Sequence, residues 1–272
     1  MIDARVACSS ITFRHRSLAE AVRLITAAGF QSMDLGALPG VCDHVPYDLT
    51  APALNQVAAT IENVAVASIN ADIGDLNLPL DTIDQQARAG HLDRLLDLCQ
   101  AVQSPALVLP CGSQGHEPIA SVEADLDLVA DQLRQAGEQA HARGRQLWVE
   151  ALHSGRLSYN LERARMLMER LADTAVGVVM DFSHIVASGE TIAAFTQALG
   201  QRVRHVHLRD AEPGNIHLSI GNGAVDFADG IAGLQAGGYQ GRYSLELETH
   251  DVEEAQRPAA AVNAATFVTG LL

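Results

Sequence analysis

Four residues far apart in the chain are of the kinds that bind cations and move protons, and each closes a short apolar run. Glu150 follows Gln-Leu-Trp-Val, Asp181 follows Val-Gly-Val-Val-Met, His207 follows Val-Arg-His-Val and Glu246 follows Arg-Tyr-Ser-Leu. Three carboxylates gathered in a partly desolvated pocket repel one another strongly, and a divalent cation would relieve that, leaving a charge of about −1. One imidazole with three carboxylates is a borderline-hard donor set, which suits Mn²⁺ first, with Mg²⁺, Co²⁺ or Zn²⁺ also fitting. Glu150 and Glu246, on opposite sides of such a pocket, could take a proton from one face of a substrate carbon and return it to the other. The cation would polarise the adjacent carbonyl and hold the enediolate.

Residues 203–210 carry the histidine. They alternate, so His205 and His207 point one way and Arg204, Val206 and Leu208 the other. A strand that ends in histidine and then breaks into a polar loop presents its imidazole at a sheet's carboxyl edge, where α/β enzymes keep their chemistry. The alternative is a pair of histidines satisfied inside a buried strand. Arg209 is expected to face outward, in a structural salt bridge. His15, His44, His116, His153, His184, His207, His217 and His250 all fall at or just after expected strand ends, so 8 of the 11 histidines crowd one rim. His153, three residues after Glu150, either leans into the pocket or caps the loop that follows.

Eight strand-and-helix units supply the frame. Strands are expected at 5–9, 31–35, 64–69, 106–109, 146–150, 176–181, 203–208 and 242–246. Helices are expected at 17–28, 50–62, 82–103, 122–143, 161–171, 191–199, 227–236 and 252–269. Ser17 with Glu20 makes a capping box, and the helix stops at Gly29. The junctions at Gly29, Gly144 and Gly238 repeat one scheme: helix, glycine, then a strand that ends in an acid. Near-continuous apolar strands alternating with helices call for a parallel sheet covered on both faces. The length fits one domain over residues 1–272, an α/β fold of the single (β/α)8 TIM-barrel kind, in which all strand ends share one rim. A doubly wound open sheet is the runner-up, but no GxGxxG follows the first strand.

The formal net charge of −15 over 272 residues sets the chain against nucleic acids and anionic membranes. No apolar stretch is long enough to span a bilayer, and the first ten residues lack a signal-peptide pattern. Cys8, Cys42, Cys99 and Cys111 form no CxxC pair and read as free thiols, which points to a reducing, cytoplasmic setting. A homo-oligomer is compatible with all of this.

The segments Val-Met-Asp181-Phe-Ser-His184, Val-His207-Leu-Arg-Asp210, Ile220-Gly-Asn-Gly-Ala-Val-Asp226-Phe and Gly241-Arg-Tyr-Ser-Leu-Glu246 resemble the xylose isomerase-like TIM-barrel superfamily, nearest its sugar epimerases and its inosose isomerases or dehydratases. The resemblance implies one divalent metal held by Glu150, Asp181, His207 and Glu246. It also implies Glu150 and Glu246 as the acid/base pair and His184 in contact with substrate oxygens. Glu248 is a rival to Glu246, and the spacing from Gly241 favours Glu246. The endonuclease IV branch needs three metals with further histidines at strands three and four; Asn70 or Ala71 and Pro110 or Cys111 stand there instead. His217 is therefore either a substrate contact or a plain loop histidine. No cluster of Lys, Arg and glycine would cradle a phosphate, so the expected substrate is an unphosphorylated sugar, a polyol or a keto derivative of one. Isomerisation or epimerisation leads. A lyase or dehydratase on the same site is the alternative, and a non-catalytic sugar-binding barrel comes third.

Overall fold

The computed structural model describes residues 1–272. In chain order its strands are β1 (Val6–Ser9), β2 (Ser32–Ala37), β3 (Ala65–Ala71), β4 (Ala106–Pro110), β5 (Gln146–Glu150), β6 (Gly177–Asp181) and β7 (Val203–Leu208), then the short β8 (Asp210–Glu212) and β9 (Asn215–Leu218), and β10 (Tyr243–Leu245). Strands β1 to β7 and β10 are parallel and close on themselves, β10 pairing with both β7 and β1. Strands β8 and β9 form a separate antiparallel ribbon on the rim. The helices are α1 (Leu18–Ala27), α2 (Ala51–Thr60), α3 (Thr82–Ala101), α4 (Val122–Ala142), α5 (Leu161–Arg170), α6 (Phe182–Ala187), α7 (Ile192–Leu199), α8 (Phe227–Ala236) and α9 (Arg257–Leu271). The molecule is a (β/α)8 TIM barrel, and no helix in it is long and apolar enough to cross a membrane.

Local chemistry sets where the helices begin and end. The Glu20 amide donates to Ser17 Oγ at 3.3 Å, and Gly29 takes φ +93° just past the end of α1. Gly144 and Gly238 stop α4 and α8 with the same left-handed turn, which a side chain would strain. Between helices and sheet lies the main apolar layer, with Leu95, Leu133, Leu167 and Phe195 fully buried. Each such side chain contributes on the order of 1.5–3 kcal/mol by leaving water. The barrel's inside is built differently. A small apolar group of Ala106, Val108, Trp148 and Val179 fills part of it, and the buried polar Asp34, Ser68, His205 and Ser244 share the interior.

Three details depart from the sequence reading. Helix α6 starts immediately after β6, because Asp181, the last residue of that strand, is also the helix N-cap. The polar stretch after Leu208 is not a plain loop but the β8–β9 ribbon. The last helix begins at Arg257 rather than at 252, with Pro258 in its first turn, where a missing amide hydrogen costs nothing.

Candidate active site

Three of the four residues singled out above meet at the barrel mouth. His207 Nδ1 lies 3.5 Å from Glu246 Oε2 and 4.0 Å from Asp181 Oδ2. One ligand atom from each of the three lies within 4.8 Å of the others. Glu150 belongs to an adjoining group of the same spacing with His153 and His184, its Oε1 3.4 Å from His184 Nε2. All these side chains are buried except His153, which is half-buried.

Two of the carboxylates, Glu246 and Asp181, are anchored on one oxygen. Asn70 Nδ2, from β3, donates to Glu246 Oε1 at 3.0 Å. The Ser183 amide, the Ser183 hydroxyl and the His184 amide donate to Asp181 Oδ1 at 2.7, 2.6 and 3.1 Å. What is left over faces inward: Asp181 Oδ2, Glu150 Oε1 and His207 Nδ1 are buried without a hydrogen-bond partner. Leaving one such atom unpaired costs about 1–3 kcal/mol. A divalent cation would satisfy several of them at once, so these residues fit a metal ion.

Burial, followed by repulsion from Asp181 and Glu246, pushes the Glu150 carboxyl up to about 8. Burial alone would lower His207, but Glu246 and Asp34 beside it hold its imidazole up at about 10. His184 and His153 move the other way, well below the ordinary histidine range, first through burial and then through the Arg209 charge for His184 and the neighbouring imidazole for His153. Both are therefore neutral. The Ser154 amide donates to His184 Nδ1 at 3.2 Å and the Gly155 amide to His153 Nδ1 at 3.1 Å, which leaves the proton of each ring on Nε2. The two rings sit 3.8 Å apart, a pair of neutral donors beside Glu150.

The cavity over these groups has a volume of about 270 Å³ and is lined by Glu150, His153, His184, Glu246, Arg156 and Arg209 among others. Arg209 corrects the outward expectation. Its guanidinium is only 1% exposed and faces the site, donating to Ser183 Oγ at 3.2–3.3 Å and to Glu248 at 3.4 Å. Residues 205, 207 and 209 share one parity, so alternation itself carries Arg209 to the side of His207, and the outward assignment is wrong. Arg156, also buried, bonds Asp72 at 2.5 Å and the Gly112 carbonyl. Glu248 is engaged by Arg14 and Arg209, which leaves Glu246 as the carboxylate at His207.

The other histidines of the rim are drawn off by local partners. His217 Nδ1 donates to the Glu248 carbonyl at 2.9 Å, and the ring stacks on His250 at 3.8 Å; Ile216 lines the cavity in its place. His44 is tied to the Arg16 carbonyl, His116 stacks on Tyr159, and His15 is exposed. Sequence reasoning gave no role to Asp34, Arg156 or Ser154. Asp34 had one signal, an acid ending a strand at a junction like those before Glu150 and Glu246.

A family model for the xylose isomerase-like TIM barrel matches residues 22–269. The 3-dehydroshikimate dehydratase of Pseudomonas aeruginosa is 28% identical over 180 residues, covering 63% of this chain and 28% of that protein. The inosose dehydratase of Geobacillus thermodenitrificans is 28% identical over 144 residues, covering 46% of this chain and 48% of the relative. The matches thus span about half or less of these curated relatives. Among solved structures, 3-keto-D-glucoside 4-epimerase from E. coli shares the fold with a TM-score of 0.77 at 20% identity, covering 97% of this chain and 100% of that one.

Proposed function

The chain belongs to the xylose isomerase-like TIM barrel family, and from that premise we propose that it is a divalent-metal-dependent isomerase or epimerase of an unphosphorylated keto-sugar or keto-polyol. One observation carries the reading: buried, unpartnered donor atoms of Asp181 and His207 cluster with Glu246, and Glu246 lines one polar cavity together with Glu150, whose Oε1 is likewise unpartnered. Asp181, His207, Glu246 and Glu150 would hold the cation, which when bound polarises a carbonyl and stabilises charge growing on its oxygen. Glu150 and Glu246 are the proton carriers. Glu150, aimed into the cavity beside His184, takes and returns the proton on one face of the substrate carbon. Glu246, fixed through Asn70, serves the opposite face of the same carbon. His184 and His153 donate their Nε2 hydrogens to substrate hydroxyl or carbonyl oxygens. The cavity's size and polar lining suit a small polyol.

Dehydration is the second reading, favoured by the two curated relatives, both named as dehydratases. It starts with the same proton abstraction and then expels a hydroxyl, for which Glu150 beside His184 supplies an acid. One experiment separates the two. The Mn²⁺-loaded protein is incubated in deuterated water with a panel of ketoses and inososes. Deuterium at carbon in a product otherwise unchanged in composition marks isomerisation or epimerisation, and a product lighter by one water marks dehydration. Finding neither carbon exchange nor loss of water across the panel would overturn both.

A further inference from the structure

We infer that Asp34, clamped by His205, is a positioning residue that decides which nitrogen of His207 meets the cation; this rests on the metal-dependent reading above. Asp34 comes from β2 and is 1% exposed. Its Oδ2 lies 2.7 Å from His205 Nε2 and 3.4 Å from His207 Nε2. His205 is one inward step below His207 on β7. The two rings meet edge to face at 5.1 Å, and Trp148 stacks on His205 at 5.3 Å. The carboxylate therefore sits under His207 in a frame packed from three strands, β2, β5 and β7. Neither Asp34 nor His205 lines the cavity, and the metal-binding candidate that both of them touch is His207.

His207 has two nitrogens with opposite surroundings. Nδ1 faces Asp181 and Glu246, and Nε2 faces Asp34. A neutral imidazole carries one hydrogen. On Nδ1 it would point at the metal-binding carboxylates and cover the lone pair a cation needs. A carboxylate beside Nε2 keeps the hydrogen there, frees Nδ1 and makes it a stronger donor, as carboxylates behind metal-binding histidines do. Asp34 Oδ2, at 3.4 Å, is the carboxylate oxygen that faces Nε2, which has no hydrogen-bond partner of its own and is free to aim its hydrogen there. His205 in turn holds Asp34 by the shorter of the two contacts, which fixes the carboxylate's direction.

Zn²⁺ is the probe, because it leaves nitrogen resonances of the histidines readable. In the Zn²⁺-loaded wild-type protein, ¹H–¹⁵N spectra of His207 should show ligation through Nδ1 and a hydrogen-bonded proton on Nε2. Asp34→Asn should weaken Zn²⁺ binding about 10–100-fold by calorimetry against a competing chelator and shift the Nε2 proton upfield. Ligation through Nε2 in the wild type would overturn the inference, and so would an Asp34→Asn protein that binds Zn²⁺ as tightly as wild type, whatever its melting temperature. Should Asp34→Asn fail to fold, the wild-type spectrum decides alone. A wild-type protein that takes up neither Zn²⁺, Mn²⁺ nor Co²⁺ would instead sink the metal-dependent reading, and this inference with it.

Discussion

Asp181 and Asp210 are both buried acids on the barrel rim, each 1% exposed, yet their surroundings are opposite. Asp210 accepts hydrogen bonds on both oxygens, from the amides of Ala211, Gly221, Gly223 and Val225 at 2.8–3.1 Å. Gly223 is required there, because a Cβ at that position would meet the Ala211 carbonyl oxygen at 2.5 Å. Asp210 thus holds the ribbon and the segment after it against the barrel. Asp181 is saturated on one oxygen and bare on the other, while its neighbours Glu150, at Oε1, and His207, at both ring nitrogens, are buried with no hydrogen-bond partner. Burial alone does not distinguish a structural acid from a functional one. Whether its lone pairs are all answered does.

That contrast can be broken most sharply at the proton carriers. Glu246→Gln and Glu150→Gln should each reduce turnover about 10²–10⁴-fold while leaving the fold intact, measured as carbon exchange on whichever substrate the panel identifies. Stability should then separate the two kinds of acid by sign. Asp210→Asn should lower the unfolding free energy by about 2–4 kcal/mol in urea melts, since four amides lose a charged acceptor. Glu150→Gln should do the reverse in metal-free protein. The Glu150 carboxyl is raised to about 8 in the folded state, so stability declines as pH climbs from the ordinary carboxylate range towards 8. The glutamine variant should lack that decline and be the more stable protein at pH 8. Equal slopes for variant and wild type would refute this.

A smaller effect concerns protons released on metal binding. His207, up at about 10, and Glu150, up at about 8, must both lose a hydrogen to act as ligands. Below pH 8, affinity should fall by up to about 100-fold per pH unit as pH drops, corresponding to about two protons displaced. Calorimetry at pH 7 in buffers of different ionisation enthalpy counts them. The smallest change should come from His217→Ala, whose ring is occupied with Glu248 and His250. It should alter kcat/KM less than about threefold, under 1 kcal/mol. A larger loss would restore His217 as a substrate contact.

The barrel and its rim were legible because both rest on local signals. A strand's parity, a glycine stop and an acid at the end of an apolar run are each read within a few residues. Asp181, His207 and Glu246 were found that way, and the structure brings them together with Glu150 alongside. Arg209 was misread because the parity was misapplied: alternation sets it on the side of His205 and His207, where the structure has it. Helix α6 was invisible because its cap is the terminal residue of a strand. The Asp34–His205 contact joins residues 171 positions apart, and nothing in either neighbourhood announces it. The crowding of histidines on the rim was real in sequence, yet several of them have neighbours that draw them away from the cavity, and only side-chain packing could reveal that.

Asn70 has a consequence for stoichiometry. Its amide already occupies one oxygen of Glu246, which disfavours that carboxylate as a two-oxygen bridge between ions. Under the metal-dependent reading, a side chain reaching over from β3 thereby favours mononuclear loading, and titration should saturate at one equivalent per chain.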